Sequence, residues 1–110
     1  MEKPSRPLIS ALVTTFNEEQ NIGECIESIL WADEVIVVDS FSTDRTVEIV
    51  RKYPTVKLFE RRYYGAASQK NWAMDQTTHP WIFIIDADER VTPELERSLH
   101  DYYEKLGEAT

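Results

Sequence analysis

Four short apolar runs recur at intervals of about 25 residues, LISALVT (8–14), EVIVVD (34–39), VKLFE (56–60) and WIFIID (81–86), each followed by a stretch with helical character. Strands joined through helices run parallel with right-handed crossovers, and the helices must cover the sheet. The chain is therefore expected to be α/β, a Rossmann-like parallel sheet with flanking helices. EVIVV and WIFII are apolar nearly throughout, which predicts strands buried on both faces. In the first crossover Ile22, Cys25, Ile26, Ile29 and Leu30 recur at helical spacing, and Asn17 with Gln20 makes a start like a capping box. Ser42 or Thr43 is expected to cap a second helix that runs to about Lys52, where Tyr53-Pro54 stops it. A third helix is predicted from Ala66 to about Gln76. A fourth starts with Thr92 as cap and Pro93 at its first position and ends near Leu106, before Gly107.

One modest core suits 110 residues. Residues 1–7 read as a polar tail and 8–110 as one domain, with no secretory signal and no apolar run near the roughly 20 residues that span a bilayer. A single cysteine makes no internal disulfide, so Cys25 is expected to be a buried, inert thiol in a reducing cytoplasm. The net charge of −8 argues against nucleic acid as a partner. The charge is uneven, however: residues 51–70 hold six bases against Glu60, whereas 86–108 hold eight acids against three bases.

Open α/β sheets bind ligands beyond the carboxyl ends of their strands. Those ends are polar here: Thr14, Thr15, Phe16, Asn17 and Glu18 after the first run, Asp39 and Ser40 after the second, Glu60, Arg61 and Arg62 after the third, Asp86 and Asp88 after the fourth. Gly23, Gly65 and Gly107 are the only glycines, so neither G-x-G-x-x-G nor a P-loop exists. If the backbone stays extended past Ile85, Asp86 and Asp88 point to one side about 6 to 7 Å apart, with Ala87 turned away. Two carboxylates so placed either raise a carboxyl pKa or call for a cation. Mg²⁺ or Mn²⁺ fits, because magnesium is held by one or two carboxylates with substrate phosphates completing its shell.

Together, VTTFNEEQNI (13–22), VIVVDSFSTDRT (35–46), GAASQKNWAM (65–74) and IFIIDADERVTPE (82–94) resemble the family 2 glycosyltransferases of the GT-A fold, in order and over nearly the whole chain. The wording is most similar to bacterial lipopolysaccharide-core β-glucosyltransferases. The resemblance implies that Thr14 to Glu18 line the base and ribose of a nucleotide and that Asp39 accepts a hydrogen bond from uracil. It puts Lys70 and Asn71 on the diphosphate side, Asp86 with Ala87 at the ribose, and Asp88 on the metal. It further implies a UDP-sugar donor, a glycan or lipid-linked glycan acceptor, and work in the cytoplasm at the inner face of the membrane. Where many members read VVDDGSTD, Ser40 replaces the second acid and Phe41 the glycine, so the turn is expected to be made differently. The family's carboxylate base and acceptor half lie beyond a D-x-D, hence beyond Thr110, so the chain reads as the donor half, not expected to turn over alone and expected to be poorly stable or oligomeric.

Three other kinds of protein share some of these features. A phosphoacceptor receiver domain would need an acceptor Asp after strand three, where Glu60-Arg61-Arg62 stands. A nucleotidyltransferase would carry a Gly-rich basic loop after strand one. A catalytically silent nucleotide-binding half would look the same as the donor half. Trp31 and Trp81 are expected in or beside the core, Trp72 is expected to be structural with a sugar pocket as the alternative, and His79 and His100 have no partner at metal-binding spacing.

Overall fold

The computed structural model describes residues 7–109, with side chains to Lys105. It contains β1 (Ile9–Thr15), α1 (Ile22–Glu27), β2 (Glu34–Asp39), α2 (Thr46–Val50), β3 (Val56–Glu60), α3 (Ala66–Asp75), β4 (Trp81–Asp86) and α4 (Pro93–Ala109). The four strands form one parallel sheet in the order β3-β2-β1-β4. This is the α/β arrangement that the alternating runs predict.

Strand alternation divides the core in two. Ala11, Val13, Val35, Val37 and Ile85 face Ile22, Cys25, Ile26 of α1 and Val50 of α2, all buried. Leu12, Ile36 and Val38 face the other way, onto Ala73 and Trp72 of α3. Each fully buried aliphatic side chain contributes roughly 2 kcal/mol, so β1 and β2, buried almost end to end, anchor the fold.

β4 departs from expectation. It is an edge strand, and Ile84 is 41% exposed on the α3 side, because α3 packs mainly over β1 and β2; Trp81, 37% exposed, lies on the opposite face.

Two helix starts also differ from the sequence reading, while the third helix begins at Ala66 as expected. Asn17 and Gln20 form no capping box: the chain turns at Glu18, whose carbonyl accepts from the Asn21 and Ile22 amides, and α1 begins later. Neither Ser42 nor Thr43 caps α2. Asp44 does so, its Oδ1 accepting from the Thr46 amide at 2.9 Å and the Thr46 hydroxyl at 2.6 Å. Gly65 precedes α3 at φ 111°, a conformation that strains any residue with a Cβ. At α4 the expectation holds, Thr92 Oγ1 accepting from the Leu95 amide at 3.1 Å, but the helix continues through Gly107 to Ala109.

Trp31 packs against the Phe83 and His100 rings and Trp81 against Tyr103. Burial raises the Cys25 thiol to about 11, so it is inert at neutral pH.

Candidate nucleotide site

The sheet register brings the strand ends into line. Thr15 lies opposite Asp39, Asp39 opposite Glu60, and Thr14 opposite Asp86. Asp39 and Asp86 thus open onto the same edge, flanking β1, with backbones about 10 Å apart at ordinary strand spacing. Alternation puts Asp39 with Thr15 on the α1 face and Asp86 with Thr14 on the α3 face, in keeping with Lys70 Nζ of α3 lying 4.0 Å from Asp86 Oδ1.

The loops after β1 and β2 are laced together. Asn17, with φ 51°, presents its side-chain oxygen to the Thr43 amide at 2.8 Å. In return the Asn17 amide donates to Ser42 Oγ at 2.8 Å, the Glu18 amide to Thr46 Oγ1 at 2.8 Å, and the Glu19 amide to Asp44 Oδ2 at 3.2 Å. Thr14, Thr15, Phe16, Asn17 and Glu18 therefore belong to one ordered wall.

The Asp39 carboxylate is engaged by its own chain. The side chain is fully buried; Oδ1 accepts from the Thr15 and Ser42 hydroxyls at 2.7 and 2.6 Å, and Oδ2 from the Ser42 amide at 2.7 Å. A base would have to displace these partners to reach it. The residue of this loop that borders open space is Ser40. Phe41, expected to force a different turn, adopts the left-handed conformation glycine would take, φ 57°, and is 55% exposed. Bonds on both sides impose it: the Ser40 amide donates to the Thr15 carbonyl at 2.9 Å and the Ser42 amide to Asp39.

Beside this wall lies a cavity of about 340 Å³ bordered by Phe16, Ser40 and Tyr63, adjoining one of about 140 Å³ that reaches Thr14, Thr15 and Gln69. Phe16 and Tyr63 are 57% and 56% exposed, two large rings kept in water at the mouth. Behind them Arg61 is fixed by its amide on the Asp39 carbonyl (2.8 Å) and lies 5.5 Å from the ring centres of Tyr64 and Trp72. Trp72 thus packs on Phe59 and carries Arg61.

After β4 the backbone does not stay extended. The Glu89 amide donates to the Asp86 carbonyl and the Asp86 amide to Glu89 Oε1, both at 2.9 Å, closing a turn over Ala87 and Asp88. The expected alternation nonetheless persists, with Asp86 and Asp88 exposed and Ala87 buried. Glu89, the third acid of the triplet, is spent on the turn. Arg90 holds the turn from below, donating to the Ala87 and Glu89 carbonyls and to Asn21 and Glu24 of the α1 region. No hydrogen bond or ion pair from the described residues reaches the Asp88 carboxylate.

No three His, Cys, Asp or Glu converge into a metal cage among the described residues. An exposed pair of hard oxygen donors still suits a divalent ion that takes the rest of its shell from phosphate and water. Asn71 is exposed, and only Lys70 of that pair is tied to the acidic turn. Ser42, Gln69, Tyr63 and Arg90 line or brace this edge and were passed over by pattern reading as site residues.

The family model described as glycosyl transferase family 2 matches residues 10–109. This chain belongs to glycosyltransferase family 2. It is 40% identical over 100 residues to the lipopolysaccharide core biosynthesis glycosyltransferase LpsC of Rhizobium meliloti, covering 87% of this chain and 37% of that protein. Among solved structures, S. aureus TarS superposes with a TM-score of 0.77 at 28% identity, over 89% of this chain and 32% of TarS. Glucosyl-3-phosphoglycerate synthase of Mycobacterium tuberculosis, solved with Mn²⁺, UDP-glucose and phosphoglyceric acid, superposes with a TM-score of 0.65 at 25% identity, over 74% and 33% of the two chains. The family 2 member described here thus spans about a third of the length of each, and its fold is that of the GT-A glycosyltransferases.

Proposed function

We propose that this chain is the donor-binding half of a glycosyltransferase, 8–110, holding the uridine diphosphate of a UDP-sugar together with Mg²⁺ or Mn²⁺. The observation that carries the reading is the common edge: an aromatic-walled cavity at the ends of β1 and β2, and one strand away an acidic turn whose Asp88 is exposed and meets no hydrogen bond or ion pair from the described residues. The synthase solved with Mn²⁺ and UDP-glucose supports the choice of ligand and ion.

In this reading Phe16 and Tyr63 bracket the base, while Thr14, Thr15, Asn17 and Glu18 form the wall that receives base and ribose. Asp39 acts by locking that wall. Asp86, with Ala87 buried behind it, faces the ribose, Lys70 the diphosphate, and Asn71 is the outlying member of that side. Asp88 would hold the ion, which supplies Lewis-acid neutralisation of the departing nucleoside diphosphate. The low glycine content leaves diphosphate binding to Lys70 and the ion, not to a backbone cradle.

The likeness to LpsC supports a glycan or lipid-linked glycan acceptor and a place in lipopolysaccharide synthesis at the cytoplasmic side of the membrane. No helix among the described residues is long and apolar enough to cross a membrane. The open α3-side face of β4, with Ile84, is proposed as the surface against which an acceptor half packs.

Calorimetric titration of the folded chain with UDP, with and without Mn²⁺, tests the reading. Saturable binding that tightens with the ion is expected. An absence of heat up to millimolar UDP in both arms removes the proposal.

A further inference from the structure

Gln69 is a buried polar side chain, 1% exposed, in a helix whose neighbouring positions are mostly small or polar. Its carboxamide bridges two groups: Arg61 Nη1 lies 2.9 Å from Oε1, and Nε2 lies 3.0 Å from Ser40 Oγ. The orientation of this amide follows from chemistry. Arginine has only donors, so the oxygen must face Arg61 and the NH₂ must face Ser40. Ser40 Oγ therefore accepts from Gln69, and no described residue accepts the Ser40 hydroxyl proton. The hydroxyl stands at the border of both cavities, next to Phe16 and Tyr63.

We infer that Arg61, Gln69 and Ser40 form a relay that fixes Ser40 as a hydrogen-bond donor toward the base, making the site selective for uracil over cytosine. This rests on the uridine reading above and adds to it the group that discriminates. The base edge facing Ser40 must carry an acceptor. With the C4 edge of the base turned toward Ser40, uracil offers its O4 carbonyl oxygen, whereas cytosine carries its amino group there and would oppose donor to donor; the C2 carbonyl is common to both bases. Arg61 and Gln69 are positioning residues: Arg61 is held by the Asp39 carbonyl and the Trp72 ring, and it sets the amide that sets the hydroxyl.

The relay can be reversed with little change of shape. In Gln69→Glu the carboxylate pairs with Arg61 and has no proton to give, so Ser40 donates inward and its proton leaves the cavity. Ser40→Ala removes the donor outright at a half-buried position. Ser40→Thr keeps it.

Affinities for UDP and CDP, measured with Mn²⁺ on the same chain, decide the matter, with melting temperatures recorded for each variant. The parent chain is expected to favour UDP by about tenfold, a preference that falls toward parity in Ser40→Ala and Gln69→Glu and survives in Ser40→Thr, in line with the net worth of one hydrogen bond. An unchanged preference in Ser40→Ala overturns the inference. So does loss in Ser40→Ala with full retention in a folded Gln69→Glu, which would sever Gln69 from the effect. Equal binding of UDP and CDP by the parent overturns the relay and leaves the uridine site standing, whereas binding of neither removes both.

Discussion

The turns that follow β2 and β4 both begin on an aspartate at the same edge of the sheet, yet the two are built in opposite ways. Asp39 is buried and accepts three hydrogen bonds from its own chain. Asp86 and Asp88 stand in water, the first 4.0 Å from Lys70 and the second with no hydrogen bond or ion pair from the described residues. Identical side chains do structural work where backbone donors turn back on them, and remain available to a ligand where the turn is closed by something else, here Glu89 and Arg90.

The contrast can be broken most severely at Asp39. Asp39→Ala strands the Thr15 hydroxyl and the Ser42 amide in the interior. A loss of about 4 kcal/mol is expected in urea unfolding, with nucleotide binding lost alongside. Asp39→Asn, which keeps one acceptor, should lose about half as much.

A second carboxylate sharpens the comparison from the far end of the sheet. Glu34 is buried where β2 begins and accepts from Ser10, Thr78 and Lys57. Burial alone would raise its pKa, but these donors outweigh it and lower the value from 4.5 to about 2. A folded pKa below the unfolded one gives stability that is complete above about pH 4.5 and drains as the pH falls toward 2. The amount is about 3 kcal/mol. Stability measured from pH 6 to pH 2 should decline through that window, and Glu34→Gln should flatten the decline.

Asp88→Ala should do the reverse of Asp39→Ala: stability unchanged within about 0.5 kcal/mol, and the Mn²⁺ dependence of UDP affinity gone. Parallel losses of stability in the two variants would erase the distinction drawn between the turns. The smallest effect is expected at Phe41. Because φ 57° strains any side chain that carries a Cβ, Phe41→Gly should stabilise the chain by about 1 kcal/mol in the same unfolding assay.

The strands and their order of use were legible in the amino-acid sequence because buried parallel strands leave unbroken apolar runs, and the observed bounds fall within a residue of those runs. Phe16, Asn17 and Asp86 were legible as strand-end residues for the same reason, whereas Lys70, in mid-helix, was singled out only by the family resemblance. The role of Asp39 was not. An aspartate closing a strand is spelled alike whether it meets a ligand or the amide three residues on, and the choice depends on the left-handed Phe41. Gln69 was hidden because a glutamine in a helix reads as solvated unless a guanidinium waits 2.9 Å away, and Arg61 reaches it from another element. The edge position of β4 was equally silent, since WIFIID is as apolar as a central strand and only the crossover order exposes it.

The lacing of the β1 loop to α2 has a kinetic corollary. The amides of Asn17, Glu18 and Glu19 all end on side chains from 42 to 46, so none can meet solvent until the second crossover lets go. Deuterium uptake at these three positions should then follow one common opening event, and one wall of the cavity would loosen as a block or stay shut.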